Sequence, residues 1–275
     1  MDNIRFTKRE DLKDLIELRA VRQTYKKSDG TETVVIDGLN YLVQDKPHQG
    51  QFDVILGKSG CGKSTILRYI AGLQQPSDGT VFLNGQLRKK EDVVGMVFQQ
   101  YSQFEWMTVL ENVMLPLEIH GVPRKERVER ALKMIQEVGL AGHEHKFAKP
   151  PLLSGGQLQR VAIARSLVAN PNIVLMDEPF GALDSVTRRQ MQAMLAGLWE
   201  SRESTVIFVT HDEREAVFLA DNIYIMAPNP GRIVRHIPVD LPFHRDHSTK
   251  RTARFLDLVA EVEDALETSI SNGSS

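Results

Sequence analysis

At 275 residues, 41% apolar and 25% charged, the chain has ordinary globular composition, enough for one large domain or two small ones around a sizeable core. Lys and Arg number 34 against 36 Asp and Glu, a formal charge of -2, which excludes the polycationic footprint of a general nucleic-acid binder. A single cysteine excludes an intramolecular disulfide. The start Met1-Asp2-Asn3-Ile4-Arg5 lacks the apolar stretch of a secretory signal, and runs such as 173–176 and 206–209 fall far short of the ~20 apolar residues of a bilayer span. A soluble cytoplasmic protein is expected.

Residues 7–15 are charged and read as a short surface helix or a loose arm. Residues 15–25 read as a first strand and 31–43 as one or two more, set off by the turn signal Ser28-Asp29-Gly30. A short apolar strand over 51–56 runs into a glycine-rich loop and a helix over 64–73. Ser77-Asp78-Gly79 then turns the chain into a strand over 80–83, which ends at Asn84-Gly85, and 93–98 is a further strand. From residue 99 to 167 the pattern changes to helices and loops. Within it a helix over 124–138 carries Val128, Leu132, Ile135 and Val138 at helical spacing and stops at Gly139. Strand and helix then alternate: 172–176, 185–200, 205–210, 212–220 and 223–226. Met191, Met194, Leu195 and Leu198 make a core stripe on the second of these. Phe255, Leu258, Val259, Val262 and Leu266 share one packed helical face near the end, and 268–275 reads as a frayed tail. The alternation implies an α/β core with a largely parallel sheet, an N-terminal antiparallel β region and an inserted helical subdomain.

Gly57-Lys58-Ser59-Gly60-Cys61-Gly62-Lys63-Ser64 fits G-x-x-x-x-G-K-[ST] between a strand and a helix. Its glycines let backbone N–H groups close around phosphate oxygens at a helix N-terminus. Lys63 is placed to reach the β- and γ-phosphates and Ser64 to ligate Mg²⁺. Cys61 reads as a small packing residue. The strand Ile173-Val174-Leu175-Met176 delivers Asp177 and Glu178. In that arrangement Asp177 holds the metal and Glu178 polarises the attacking water. Leu153-Ser154-Gly155-Gly156-Gln157 leads into a helix over 158–168, a second glycine-rich helix start and so a second anion site, this one without a lysine. No N-K-x-D guanine-reading motif is present. His143 and His145 lack partners at metal-ligand spacing and read as solvated loop residues.

Residues 153–157 match the signature of ATP-binding cassette (ABC) proteins, and over about residues 15–240 the chain resembles that P-loop NTPase family. The resemblance implies an ABC ATP-binding domain spanning 1–275. Its nucleotide-binding core would be 15–98 and 168–240, its helical signature subdomain 99–167 and its C-terminal helical extension 241–275. It makes Gln99 similar to the Q-loop glutamine, a metal contact beside Ser64 and Asp177. It makes Asp184, in Ala182-Leu183-Asp184, similar to the D-loop, His211 similar to the switch histidine, and Tyr25 similar to the aromatic that stacks on adenine. It also implies ATP and Mg²⁺ as cofactors. Two copies would close head-to-tail, each ATP lying between Gly57–Thr65 of one copy and Ser154–Gln157 of the other. Glu111-Asn112-Val113, Leu115-Pro116-Leu117 and the tail 227–242 resemble the nitrate, sulfonate, taurine and bicarbonate importers, although Glu105 stands where those usually carry proline before the tryptophan. Separate membrane permease subunits, a periplasmic or lipid-anchored solute-binding protein, and a place on the cytoplasmic face of the inner membrane follow from that resemblance, with no nucleic-acid partner. Phe104, Trp106 and Met107 are expected to form the groove that receives the permease. A soluble ABC ATPase or a non-catalytic nucleotide switch is the alternative.

Overall fold

The computed structural model describes residues 4, 6, 8–26, 30–46, 49–89 and 91–271. The elements begin with β1 (Asp14–Lys26), β2 (Glu32–Gln44), β3 (Gln51–Gly57), α1 (Lys63–Ala71), β4 (Asp78–Leu83), β5 (Gln86–Leu87) and β6 (Gly95–Val97). They continue with α2 (Val109–Ile119), α3 (Arg124–Glu137), α4 (Gly155–Leu167), β7 (Ile173–Asp177), α5 (Ser185–Trp199) and β8 (Thr205–Thr210). The chain closes with α6 (Glu213–Leu219), β9 (Asn222–Ala227), β10 (Arg232–Pro238), a 3₁₀ turn and α7 (Ala253–Ser271). Two compact units result, residues 1–93 with 205–275 and residues 94–204.

In the first unit β2-β1-β4-β5 form an antiparallel sheet. A second sheet sets β3 parallel to both β8 and β9, with β10 antiparallel along β9. Every residue of β3 and β8 is buried, which is why both read as unbroken apolar runs rather than alternating ones. Where one or two strands were expected over 31–43, β2 is a single strand, bent at Gly38 (φ 58°). Opposite it β1 bulges at Ala20 (φ 46°), whose N–H donates to the Asn40 side chain at 2.9 Å. The charged stretch before β1 forms no helix between residues 8 and 13. It is pinned at Arg9, whose N–H and carbonyl both bond the Gln44 amide at 2.9 Å. Ser28 and Asp29 lie outside the described residues. Helix α1 ends at Ala71, two residues before the expected end, because Gly72 turns left-handed (φ 70°). Asn84 and Gly85 both take positive φ and form a two-residue hairpin turn into β5, a strand the sequence reading stopped short of. The apolar face of α7 is buried through Phe255, Leu258, Val259, Val262 and Leu266, and the helix runs on to Ser271.

In the second unit β6 and β7 pair in parallel, and α2 packs on both α3 and α4. The buried face of α3 and its C-cap is Ala131, Met134, Ile135 and Val138; Leu132, expected in that stripe, is exposed because it lies a quarter-turn off. On α5, Met191, Leu195 and Leu198 are buried as expected, whereas Met194 is half-buried. No helix among the described residues is long and apolar enough to cross a membrane.

Candidate functional site

In the first unit, β3 delivers Gly57 to a loop whose rim, Lys58-Ser59-Gly60, is exposed and whose Gly60 and Gly62 take φ of 81° and 105°. Helix α1 opens at Lys63 with no acidic residue in its first turn, which leaves the N-terminal partial charge uncompensated and suited to an anion. The buried Lys63 ammonium donates to the carbonyls of Gly57 (2.7 Å) and Lys58 (3.0 Å), so it stands inside the turn that would receive phosphate. Ser64 is half-buried beside it and Thr65 is buried. Cys61 is buried, a packing residue as expected. Tyr25, next to last in β1, is 44% exposed, and its hydroxyl accepts from Gln74 Nε2 at 2.9 Å. His211 is exposed in the bend after β8. Thr210 fixes that bend by donating to the buried Glu215 carboxylate (2.5 Å) and accepting from the Asp212 N–H (3.1 Å).

The sequence reading missed what supports the loop. A Cβ on Gly57 would lie 2.6 Å from the Met226 carbonyl, and one on Gly62 3.0 Å from Ile36. Gly231, in the turn between β9 and β10, is closest of all: its Cβ would lie 2.1 Å from the Cys61 carbonyl. Backbone against backbone cannot yield as a side-chain tip can. Gly231→Ala should therefore cost about 1–3 kcal/mol and weaken nucleotide binding at an otherwise intact loop. Thermal melts and fluorescent-nucleotide titration check this; a parent-like melting temperature would refute it.

In the second unit, β7 ends on the buried Asp177, followed by Glu178 in a left-handed conformation (φ 42°) whose carbonyl accepts from the Gly181 N–H at 3.1 Å. A non-glycine residue held there is strained, a feature concentrated at functional positions. Asp184 caps α5, accepting from the N–H groups of Val186 (2.9 Å) and Thr187 (3.0 Å); hydrogen bonding from Thr187 holds its carboxyl below the usual range. Gln99 is exposed in the bend two residues after β6. Asp177 and Gln99 in this unit offer carboxylate and amide oxygens, and Ser64 in the first unit offers a hydroxyl; each is a hard oxygen donor of the kind Mg²⁺ takes.

Helix α4 begins at Gly155 rather than at Leu158, because Ser154 and Gln157 form a reciprocal capping box. The Gln157 N–H donates to Ser154 Oγ (3.3 Å), and the Ser154 N–H donates to Gln157 Oε1 (2.9 Å). A Cβ on Gly155 would lie 2.5 Å from the Tyr101 hydroxyl and one on Gly156 2.5 Å from the Thr187 methyl, so a side chain at either glycine would have to push that group aside. Leu153 is buried, whereas Ser154 is exposed. His143, expected to be a solvated loop residue, is half-buried, with Nε2 3.0 Å from Gln157 Nε2.

Comparison with known proteins places these features. The sequence profile described as ABC transporter matches residues 44–181. A taurine import ATP-binding protein of Rhizobium johnstonii is 44% identical over 235 residues, covering 82% of this chain and 88% of that protein. A nitrate import ATP-binding protein of Synechocystis is 42% identical over 224 residues, covering 79% and 84%. Among solved structures, a dimeric ATP-binding cassette in a post-hydrolysis state with ADP and Pi superposes with a TM-score of 0.67 at 35% identity, covering 83% of this chain and all of that one.

Proposed function

Since the chain belongs to the ABC transporter family, we propose that it is the ATP-hydrolysing subunit of a solute importer, working as a head-to-tail pair of copies. One observation carries this reading. A single chain holds two glycine-rich helix starts of different design, one with a buried lysine and one with an exposed capping serine and no cation. Neither encloses a γ-phosphate, and two copies facing each other supply both to each ATP. Lys63 and the N–H groups of 57–65 hold the phosphates of one copy's ATP, and Ser154, Gly155, Gly156 and Gln157 meet it from the other copy. By the family resemblance Ser64, Asp177 and Gln99 would hold Mg²⁺, which when bound would neutralise charge on the phosphate oxygens. Glu178 takes the proton of the attacking water, His211 contacts the γ-phosphate, and Tyr25 stacks on adenine. Asp184 shapes the start of α5 beside the signature helix. Glu178 and His211 together favour hydrolysis over a passive nucleotide switch.

Both named relatives are import proteins, for taurine and for nitrate, which supports a small anion or sulfonate as the imported solute. Permease subunits bring this chain to the cytoplasmic face of the inner membrane, and a solute-binding protein delivers the cargo.

Trp106 is 71% exposed, leans on Phe104 with ring centroids 5.0 Å apart and ring planes tilted by 42°, and marks the permease-docking surface. The loop beneath it is tied to α2 by hydrogen bonds. Buried Asn112 accepts from the Phe104 N–H (2.8 Å) and donates to the carbonyls of Phe104 (3.0 Å), Met107 (3.2 Å) and Thr108 (2.9 Å). Phe104 and Met107 are half-buried, so the tryptophan is the anchor. Trp106→Ala should keep the parent's melting temperature and phosphate release as an isolated subunit, and lose co-purification with the permease and transport. Lowered stability with assembly retained would refute the docking role.

A further inference from the structure

We infer that His143 is the positioning residue of the signature glutamine, fixing Gln157 and the Ser154 helix start before a second copy closes on ATP. This rests on the proposed role of residues 154–157 as an anion site.

The proton arrangement follows from the heavy atoms. The Ser154 N–H donates to Oε1 of Gln157 at 2.9 Å, which fixes the amide orientation and turns Nε2 away from the backbone. That Nε2 stands 3.0 Å from Nε2 of His143. An amide nitrogen only donates, so the imidazole Nε2 must be the bare, accepting nitrogen. The ring proton then sits on Nδ1, which faces the Ala141 carbonyl at 3.4 Å. One assignment satisfies every group, and it leaves the Gln157 side chain held at both ends of its amide.

The loop that carries His143 is anchored without it. Arg160, one turn along α4 from Gln157, donates to the Val138 carbonyl at 2.7 Å. Gly139 (φ 71°) makes room for that guanidinium; a Cβ there would lie 2.7 Å from its Nη1. Two residues on one face of α4 therefore grip the 138–143 loop, Arg160 to hold it and Gln157 to be held by it. Removing the imidazole releases the Nε2 end of the Gln157 amide, leaving only the Ser154 N–H on its oxygen, while the loop stays in place. A neutral hydrogen bond is worth roughly four- to fivefold in an equilibrium, and a closed pair contains two such sites, so closure should weaken roughly 20-fold.

The test is sedimentation of the Glu178→Gln protein with ATP, read as the dimer dissociation constant, using ATP without Mg²⁺ should that background stay monomeric. His143→Ala should raise the constant roughly 20-fold, with the melting temperature within a few degrees of the parent's and monomer affinity for a fluorescent nucleotide unchanged. His143→Gln, whose Oε1 can accept where Nε2 did, should restore most of the loss. A parent-like constant for His143→Ala overturns the inference, and so does failure of the glutamine to rescue, which would reduce His143 to packing. Ser154→Arg in the same background separates the premise: if that variant still closes, the anion-site reading of 154–157 fails, and the role of His143 in closure with it.

Discussion

Glu178→Gln should bind ATP as tightly as the parent and turn it over at least ~100-fold more slowly, accumulating as a closed pair of copies. The expectation comes from backbone and side chain together. Glu178 follows the buried Asp177 at the end of β7 and is locked in a left-handed turn by the Gly181 N–H on its carbonyl. Glutamine has the same length and shape and inherits the same strain, so the loop should not move. What the amide lacks is basicity: it cannot take the proton of an attacking water, and general-base removal typically costs 10²–10⁴ in rate. Binding, by contrast, draws on Lys63, Ser64 and the loop N–H groups, which the substitution leaves untouched. Phosphate release measures the loss, and size-exclusion chromatography with Mg-ATP detects the closed pair. Turnover at the parent rate would remove Glu178 from the role of base.

The parts of this site that can be read from sequence are those made by consecutive residues. Gly57–Ser64, Asp177-Glu178 and Ser154–Gln157 each sit within one strand end, loop or helix start, so spacing alone places their N–H groups and side chains. What supports them comes from distant segments and carries no local pattern. Gly231 is 170 residues from the Cys61 carbonyl it packs against, and it reads as an ordinary turn glycine until the approach is seen. His143 reads as a loop histidine because the capping box that aims Gln157 at it forms only when α4 begins at Gly155. Boundaries failed for the same reason. Helix α1 stops where Gly72 turns left-handed and Arg88, 16 positions on, donates to the freed carbonyls of Ile70 (3.1 Å) and Ala71 (2.6 Å). Strand β3 was legible as apolar and buried, yet its one carboxylate was passed over, since a lone Asp in an apolar run has no local signal of its partners.

That carboxylate ties stability to pH. Asp53→Asn should flatten the pH dependence of unfolding, so that between pH 4 and 7 the parent loses about 2 kcal/mol that the variant keeps. Asp53 is fully buried near the start of β3, at the opposite end of the strand from Gly57. Burial pushes its carboxyl up to about 6, while hydrogen bonds from Asn222 Nδ2 (2.8 Å) and Gln51 Nε2 (2.9 Å to each oxygen) pull the other way. A carboxyl whose folded value is raised binds its proton more tightly folded than unfolded. Its contribution is therefore complete below the unfolded value near 3.8, falls as pH rises from there through about 6, and stays lost above. Asparagine removes the titration and suits the surroundings: one oxygen still accepts from Asn222, and its NH₂ faces Gln51, whose buried Oε1 has no hydrogen-bond partner among the described residues. A turn of the Gln51 amide would satisfy both side chains. Urea unfolding of both proteins at pH 4, 5, 6 and 7 measures the difference, and stability curves that run parallel across that range would show that Asp53 does not titrate as its burial requires. Nucleotide affinity serves as the internal control: it should match the parent at every pH, because the substitution lies at the far end of β3 from the phosphate loop.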